Sequence, residues 1–211
     1  MSQVPDVSDS VEPGTPARDN ARVLVFCASS KSADPMFREA AARLGRVLAR
    51  SGRSVVYGGG SEGSMGALAS AALDEGGKVV GIQPRFMAKL EWTHPGLSEL
   101  HLVETMAERK SLMLSSCDAV VTLPGGSGTL EEVFDAITAK RLGLFLGPIV
   151  FVNQAGFFDP CLAQLERCVE RDFMDRRHTK MWSVVDDPAE VLSAFEAAPP
   201  WSKDAVAFAA V

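Results

Sequence analysis

Two residue types that often hold metals or build disulfide frameworks are scarce in this sequence. It has four cysteines, none of them in a Cys-x-x-Cys pair, and three histidines that lack the spacing of metal ligands. Each cysteine lies in or beside an apolar segment, which is typical of buried, reduced thiols. We therefore expect no metal site, no disulfide framework and a cytoplasmic location.

Long apolar runs and an excess of basic residues are missing as well. No run approaches the roughly 20 apolar residues of a membrane span. The first 20 residues lack the basic and apolar regions of a secretory signal. The formal net charge is −6, whereas a protein that binds nucleic acid through phosphate contacts needs a basic face. The sequence thus predicts neither a membrane nor a nucleic-acid partner, but it allows a small anionic ligand in a local positive pocket.

The chain is long enough for one domain with its own core. Its 211 residues are 46% hydrophobic and 23% charged, the balance of a globular protein. Residues 1–20 are rich in Pro, Ser and Asp, so we predict a disordered N-terminal segment there. We predict the domain over residues 21–198 and a loose C-terminal tail over residues 199–211.

Short apolar segments alternate with helical patterns from residue 22 onward. The sequence predicts strands over residues 22–28, 54–57, 78–83, 100–103, 119–123 and 148–153. It predicts helices over residues 35–51, 65–75, 106–116, 129–142, 159–171 and 188–197. This alternation is typical of an α/β fold, a single Rossmann-like, doubly wound parallel sheet with helices on both faces. Such folds bind ligands at the carboxyl ends of the strands, near the point where the strand order reverses.

Three loops rich in glycine or serine directly follow predicted strands. Residues 28–30 contain Ser29 and Ser30, residues 58–66 contain Gly59, Gly60 and Met65, and residues 124–129 read PGGSGT. Because the carboxyl ends of parallel strands share one edge of the sheet, we expect these loops to converge on one crevice.

The PGGSGT loop has the composition of an anion site. Its glycines let backbone N–H groups approach a phosphate, and the helix that follows adds its dipole. A plain tight turn with Thr129 as helix cap is the alternative interpretation. The loop is not a Walker motif, because no Gly-Lys-Ser/Thr follows, and Gly58-x-Gly60-x-x-Gly63 is a weak match that does not follow the first strand.

Two pairs of adjacent charged residues flank this loop. Glu131 and Glu132 point about 100° apart on a helix, so only one of them can face the crevice squarely. Acids in a first helical turn commonly meet the dipole, but one of these can instead bind ribose hydroxyls or activate water at an anomeric carbon. Arg109 and Lys110 also point apart, and a solvated surface is their default interpretation.

Two motifs at a fixed separation resemble the LOG ("lonely guy") family, cytokinin riboside 5′-monophosphate phosphoribohydrolases that are often described as lysine decarboxylases. They are MAERKSLM at 106–113 and LPGGSGTLEE at 123–132. Further similar stretches are VFCASS at 25–30, VVYGGGSEGSMGALASAAL at 55–73 and EWTHPGLSELHLVETM at 91–106. The resemblance covers roughly residues 22–175.

The resemblance implies a modified Rossmann fold, a homodimer or higher assembly, and no metal or redox cofactor. It implies hydrolysis of the N-glycosidic bond of N6-substituted adenosine 5′-monophosphates. Arg109 and Glu132 would be the catalytic pair. The residues that it implies as substrate contacts are Glu91, Lys110, Gly126, Ser127, Gly128, Thr129, Leu130, Glu131 and Thr138.

The sequence departs from the family pattern at Ala28, Glu62, Ser64, Ala107 and Ser127. None of these changes removes Arg109 or Glu132, so they bear on the preferred substrate. Two other functions are weighed against hydrolysis. One is a non-catalytic carrier of a phosphorylated ligand such as molybdenum cofactor, whose known examples lack the Arg/Glu combination as a rule. The other is an NAD(P)-dependent oxidoreductase, which would require a fingerprint that is missing after the first strand.

Overall fold

Seven short strands form the sheet of this chain in a computed structural model that describes residues 20–89 and 93–209. They are β1 (Arg22–Phe26), β2 (Ser54–Tyr57), β3 (Val79–Pro84), β4 (Glu99–Val103), β5 (Ala119–Thr122), β6 (Ile149–Val152) and β7 (Trp182–Val185). All neighbouring pairs are parallel, in the order β4-β3-β2-β1-β5-β6-β7. The predicted parallel α/β sheet is confirmed.

Within the described residues, five α-helices connect strands and a sixth follows β7. They are α1 (Pro35–Arg50), α2 (Gly63–Asp74), α3 (Met106–Ser115), α4 (Ser127–Arg141), α5 (Asp159–Glu170) and α6 (Val191–Ala197). Short 3-10 segments lie at Met87–Lys89, Gln154–Gly156, Arg176–Lys180, Pro188–Glu190 and Lys203–Phe208. No helix within the described ranges is both long and apolar enough to cross a membrane.

Side chains of the central strands alternate between two hydrophobic clusters, one on each face of the sheet. Val23 and Val25 of β1 belong to the cluster that α1, α2 and α6 cover, whereas Leu24 and Phe26 belong to the cluster under α4 and α5. Helices on both faces therefore bury the central strands, which explains their continuous apolar runs.

The strand order reverses at β1, which lies between β2 and β5. The loops that leave β1 and β5 therefore run to opposite faces of the sheet and leave a crevice between them, as is general for doubly wound folds. Backbone contacts close one side of this crevice. The Met65 N–H donates to the Ala28 carbonyl over 3.0 Å, and Gly63, at φ +58°, lies where a side chain would meet the Ser30 carbonyl at 2.5 Å.

Besides shifts of one to three residues at the ends of other elements, an edge strand and the start of α4 differ from the sequence prediction. The strand β7 is not predicted, because Trp182–Val185 is a partly exposed edge strand without strict alternation. The helix α4 begins at Ser127 rather than at residue 129, so half of the glycine loop is the first turn of the helix.

The predicted loose tail over residues 199–211 is wrong for the part that the structure describes. The Trp201 indole N–H donates to the Lys140 carbonyl over 2.7 Å, and the Arg141 guanidinium donates to the Ala209 carbonyl. Ala205 and Ala209 are buried. The segment packs on α4 because its alanines and aromatic residues cover apolar surface there. The segment predicted to be disordered, residues 1–20, lies outside the described residues except for Asn20. Glu91 lies outside them as well.

Candidate active site

A cavity of about 330 Å³ opens at the carboxyl ends of β1 and β5. The loop after β1 forms one wall, and the start of α4 forms the opposite wall. Residues from α2, α3 and the Met87–Lys89 turn complete it. The lining residues are Cys27, Ala28, Ser29, Ser30, Met65, Met87, Met106, Arg109, Gly126, Ser127, Gly128, Thr129, Glu131 and Glu132.

A buried ion pair lies at the inner end of this cavity. Arg109 Nη1 donates to Glu132 Oε1 over 2.7 Å, and the two residues are only 5% and 6% exposed. Arg109 Nε donates to the Ile82 carbonyl over 3.1 Å at the end of β3. The guanidinium is thus anchored at two points, and its remaining donors are available to a ligand.

The guanidinium also needs a residue without a side chain beside it. A Cβ at Gly58, directly after β2, would lie 2.6 Å from Arg109 Nη2. That separation is far below any real contact, so an alanine at this position would push the guanidinium away. The first glycine after β2 therefore provides the space that Arg109 occupies.

Helix caps determine which side chains enter the cavity. Thr105 caps α3 by accepting from the Glu108 N–H over 3.1 Å, and this start of the helix directs Arg109 inward. At the other wall, a Cβ on Gly125 would lie 2.2 Å from Thr129 Oγ1, so glycine is required there. A Cβ on Gly126 or Gly128 would meet nothing within 4 Å, which leaves the first turn of α4 open to an anion.

Burial raises the pKa of the Glu132 carboxyl above its ordinary value. Arg109 opposes this shift, while the neighbouring Glu131 adds to it. Burial likewise raises the pKa of the Cys27 thiol, with the Glu132 charge as a second cause, so Cys27 is a neutral part of the cavity wall. No cluster of three metal-ligating side chains exists within the described ranges of the chain.

A second set of ion pairs lies immediately outside the first. Lys110 Nζ pairs with Glu131 and, over 2.6 Å, with Asp135 Oδ2 one turn further along α4. These carboxylates are about half exposed, whereas the Lys110 side chain is 24% exposed. The hydrogen bonds that Lys110 donates to Asp135 and Glu131 raise its pKa, which keeps it charged. Two adjacent residues of α3 thus form ion pairs with acids of α4: Arg109 in a buried pair and Lys110 in partly exposed pairs.

Most of the predicted site residues meet in this cavity. Those that line it are Ser29, Ser30, Met65, Arg109, Gly126, Ser127, Gly128, Thr129, Glu131 and Glu132. Gly59 and Gly60 are buried behind it, and Leu130 packs toward the core beneath α4. Thr138 is exposed on the Glu131 face of α4, about 10 Å further along the helix. Lys110 does not line the cavity.

Four lining residues are not among the predicted site residues: Ala28, which lies in the predicted loop at residues 28–30, and Cys27, Met87 and Met106. Met106 is the first residue of the MAERK motif, and this position beside Arg109 could have indicated that it lines the site. Cys27 ends an apolar run and is indistinguishable from a core residue in the sequence. Met87 lies in the irregular segment between β3 and β4, where no pattern indicates its position. Together with Met65, the two methionines give the cavity a flexible apolar wall.

Comparison with known proteins identifies the family. The family model described as "Possible lysine decarboxylase" matches residues 65–195. A cytokinin riboside 5′-monophosphate phosphoribohydrolase of Rhodococcoides fascians is 43% identical over 153 residues, 72% of this chain and 77% of that protein. The Arabidopsis thaliana enzyme of the same name, LOG2, is 34% identical over 185 residues, 88% of this chain and 87% of that protein.

A solved structure confirms the fold alone. The molybdenum cofactor carrier protein of Chlamydomonas reinhardtii superposes with a TM-score of 0.66 at 20% identity, covering 84% of this chain and 96% of that one. Its helices and parallel sheet match, but the low identity carries no functional argument. The sequence relatives and the family model together show that this chain belongs to the LOG family.

Proposed function

We propose that this chain hydrolyses the N-glycosidic bond of adenosine 5′-monophosphates, plain or N6-substituted, to the free base and ribose 5-phosphate. The observation that carries the proposal is the buried Arg109–Glu132 pair, which lies in the same cavity as the open first turn of α4. A sugar phosphate has an anionic end, which suits the open first turn of α4, and a hydroxyl-bearing ring, which suits the Glu132 carboxylate.

The phosphate binds at residues 126–129. The first N–H groups of a helix have no partner within the helix, and the dipole of α4 favours an anion there. Gly126 and Gly128 leave the approach open, while Ser127 and Thr129 supply hydroxyl donors. This turn is the phosphate subsite of the proposal.

The ribose then lies within reach of Glu132, one turn deeper on α4. A carboxylate at this position accepts hydrogen bonds from the 2′- and 3′-hydroxyls or from the attacking water. Its negative charge stabilises the oxocarbenium-like centre at C1′. The bond from C1′ to the purine nitrogen breaks, water adds its oxygen to C1′, and the base leaves with a proton. Arg109 holds Glu132 in place and stabilises negative charge on the sugar phosphate or the departing purine.

Two predicted contacts, Glu91 and Thr138, are not among the residues that line the described cavity. Glu91, outside the described residues, is proposed to face the base. Thr138 lies about 10 Å beyond Glu131 along α4 and does not line the cavity, so it stays a predicted contact. We also propose a cytoplasmic location, because the four cysteines are free thiols.

An assembly of two or more copies is part of the proposal. Phe134 and Leu142 on α4, with Leu144 and Leu146 after it, are apolar and 38–78% exposed. Apolar surface grouped in this way is typical of an interface between subunits. Size-exclusion chromatography with light scattering tests this: a monomer at micromolar concentration would contradict it.

A substrate panel tests the activity. We expect release of base from AMP and from isopentenyladenosine monophosphate, with kcat/KM for each monophosphate at least about 100-fold above that for its riboside, since the phosphate contacts are lost with the riboside. Equal rates on monophosphates and ribosides would contradict the phosphate subsite. A copurified pterin without hydrolysis would favour the carrier, and saturable NAD(P) binding without hydrolysis would favour the oxidoreductase.

A further inference from the structure

The wall of the phosphate subsite contains an acid that should repel its ligand. Glu131 lines the cavity beside Ser127 and Gly128, and it lies next to Glu132 in the chain. The phosphate would therefore bind beside two carboxylates, only one of which is paired with Arg109. Like charges at this separation oppose binding unless a cation offsets them.

Lys110 is the cation that pairs with this acid. Its ammonium group contacts Glu131 and lies 2.6 Å from Asp135 Oδ2, so two carboxylates on one face of α4 hold it. It lies outside the cavity lining, with its donors directed to α4. Asp135 lies one helical turn beyond Glu131, which lets both acids reach the same ammonium group.

We propose that Lys110 is a positioning residue that holds the Glu131 carboxylate toward the outer face of α4 and offsets its charge, with Asp135 fixing the ammonium group. The substrate phosphate then meets the helix N-terminus without an uncompensated acid beside it. This inference rests on the proposed sugar-phosphate site. It assigns Lys110 a role through Glu131 in place of the direct substrate contact that the family resemblance implies.

The raised pKa of Lys110 agrees with this arrangement, because it keeps the ammonium charged at neutral pH, where the phosphate is ionised. The pairs are partly exposed, so their loss should cost little folding stability. Replacing Lys110 should therefore lower the affinity for the ligand while leaving folding stability nearly unchanged.

The test is the affinity for ribose 5-phosphate, measured by titration calorimetry on the full chain. This ligand has no glycosidic bond, so its binding is independent of turnover. We expect Lys110→Met to weaken binding about tenfold, because Glu131 loses its counter-charge. The double variant Lys110→Met/Glu131→Gln should return to within about threefold of wild type, because the repulsion is removed with the acid.

Two controls accompany these variants. Asp135→Asn leaves the Lys110–Glu131 pair in place and should change affinity less than about threefold. Lys78→Met removes the same charge from the opposite edge of the sheet, where Lys78 pairs with Glu99 over 2.5 Å, and should leave affinity unchanged. Thermal melts of every variant establish that each is folded.

Two results would overturn the inference. If the double variant binds as weakly as Lys110→Met, Lys110 contacts the phosphate directly. If Lys110→Met binds ribose 5-phosphate as tightly as wild type, Lys110 does not offset the charge of Glu131 at the phosphate subsite. Wild type that binds ribose 5-phosphate but cleaves no nucleotide would contradict the proposed hydrolysis and leave this inference to be decided by the variants. Wild type that binds no ribose 5-phosphate would overturn both.

Discussion

Arg109 Nη1 lies 2.7 Å from Glu132 Oε1, and both residues are more than nine-tenths buried beside an open helix N-terminus. Removing one partner of such a pair leaves the other as an uncompensated buried charge, at a cost of about 3–5 kcal/mol. Loss of activity on simple truncation would therefore mix chemistry with folding. Glu132→Gln keeps the side-chain volume and an oxygen that can accept from Arg109, and its thermal melt shows how far lost folding stability contributes to any lost activity.

A side chain added at Gly58 should impair catalysis without changing any charge. Gly58→Ala places a Cβ 2.6 Å from Arg109 Nη2 and must displace the guanidinium. We expect kcat to fall about 10- to 100-fold, because small misplacements of a catalytic group are costly, with a smaller change in KM. Gly126→Ala, where an added Cβ meets nothing in the free protein, should mainly raise KM by narrowing the phosphate approach. Equal kinetic effects of the two variants would contradict these separate roles.

The charge of Glu131 predicts a shift in the pH profile. Burial and the neighbouring Glu131 both raise the pKa of Glu132, so activity that needs ionised Glu132 is lost as the pH falls through this raised value. Glu131→Gln removes one negative neighbour, lowers the pKa of Glu132 and should move the acidic limb of kcat/KM to lower pH. The substrate phosphate titrates identically in both measurements. An unmoved limb would show that another group controls it.

The docked C-terminal segment predicts a loss of stability on removal of its anchor. Trp201→Ala deletes the hydrogen bond to the Lys140 carbonyl and the ring that covers the Lys140 ammonium at 5.8 Å. We expect the free energy of unfolding in urea to fall by about 2 kcal/mol. Phe173→Ala, at a side chain that is 73% exposed, is the matched control and should cost less than about 0.5 kcal/mol. Equal losses in both variants would mean that the segment is loosely attached.

Because the Lys140 amine is buried, the free energy of unfolding should change with pH in the alkaline range. Lys140 is 2% exposed, its Nζ donates to the Gly147 carbonyl over 2.7 Å, and burial lowers its pKa to about 8. Between pH 8 and the unfolded value of about 10.4, the unfolded chain binds more protons than the folded one. Wild type should therefore gain up to about 3 kcal/mol of stability relative to Lys140→Met over that range.

Chemical unfolding of both proteins at pH 7.5 and pH 10 measures that difference. The comparison cancels every group that the two proteins share. A constant difference across the range would show that Lys140 keeps an ordinary pKa in the folded chain.

Local patterns predict the architecture well because the central strands are buried on both faces. The strand β2 begins and ends at the predicted residues, and α1 differs from prediction by one residue at its end, where Ser51 caps it. The edge strand β7 carries no such signal, since only part of each side chain is covered. The C-terminal segment is short, and its apolar residues dock on a surface of α4 that exists only in the folded chain, so no local pattern in the sequence displays it.

The candidate site, like the fold, is predicted from the sequence only in part. The Arg109 and Glu132 motifs are explicit in the sequence, and the structure places both in the cavity. Their mutual pairing, the contact of Lys110 with Asp135 and the use of Gly58 as a space for Arg109 all join residues more than 20 positions apart. Met87 enters the cavity from a turn without regular pattern. Such relationships depend on how β3, α3 and α4 pack together.

The central claim is tested most directly by the products that wild type and Glu132→Gln form from AMP and from isopentenyladenosine monophosphate. Free base and ribose 5-phosphate are quantified together by mass spectrometry, and thermal melts confirm that the variant is folded. The account predicts equal amounts of the two products from wild type and a loss in kcat of about 100-fold or more in the variant. Turnover by Glu132→Gln within a few-fold of wild type, or no base release by wild type, would contradict it.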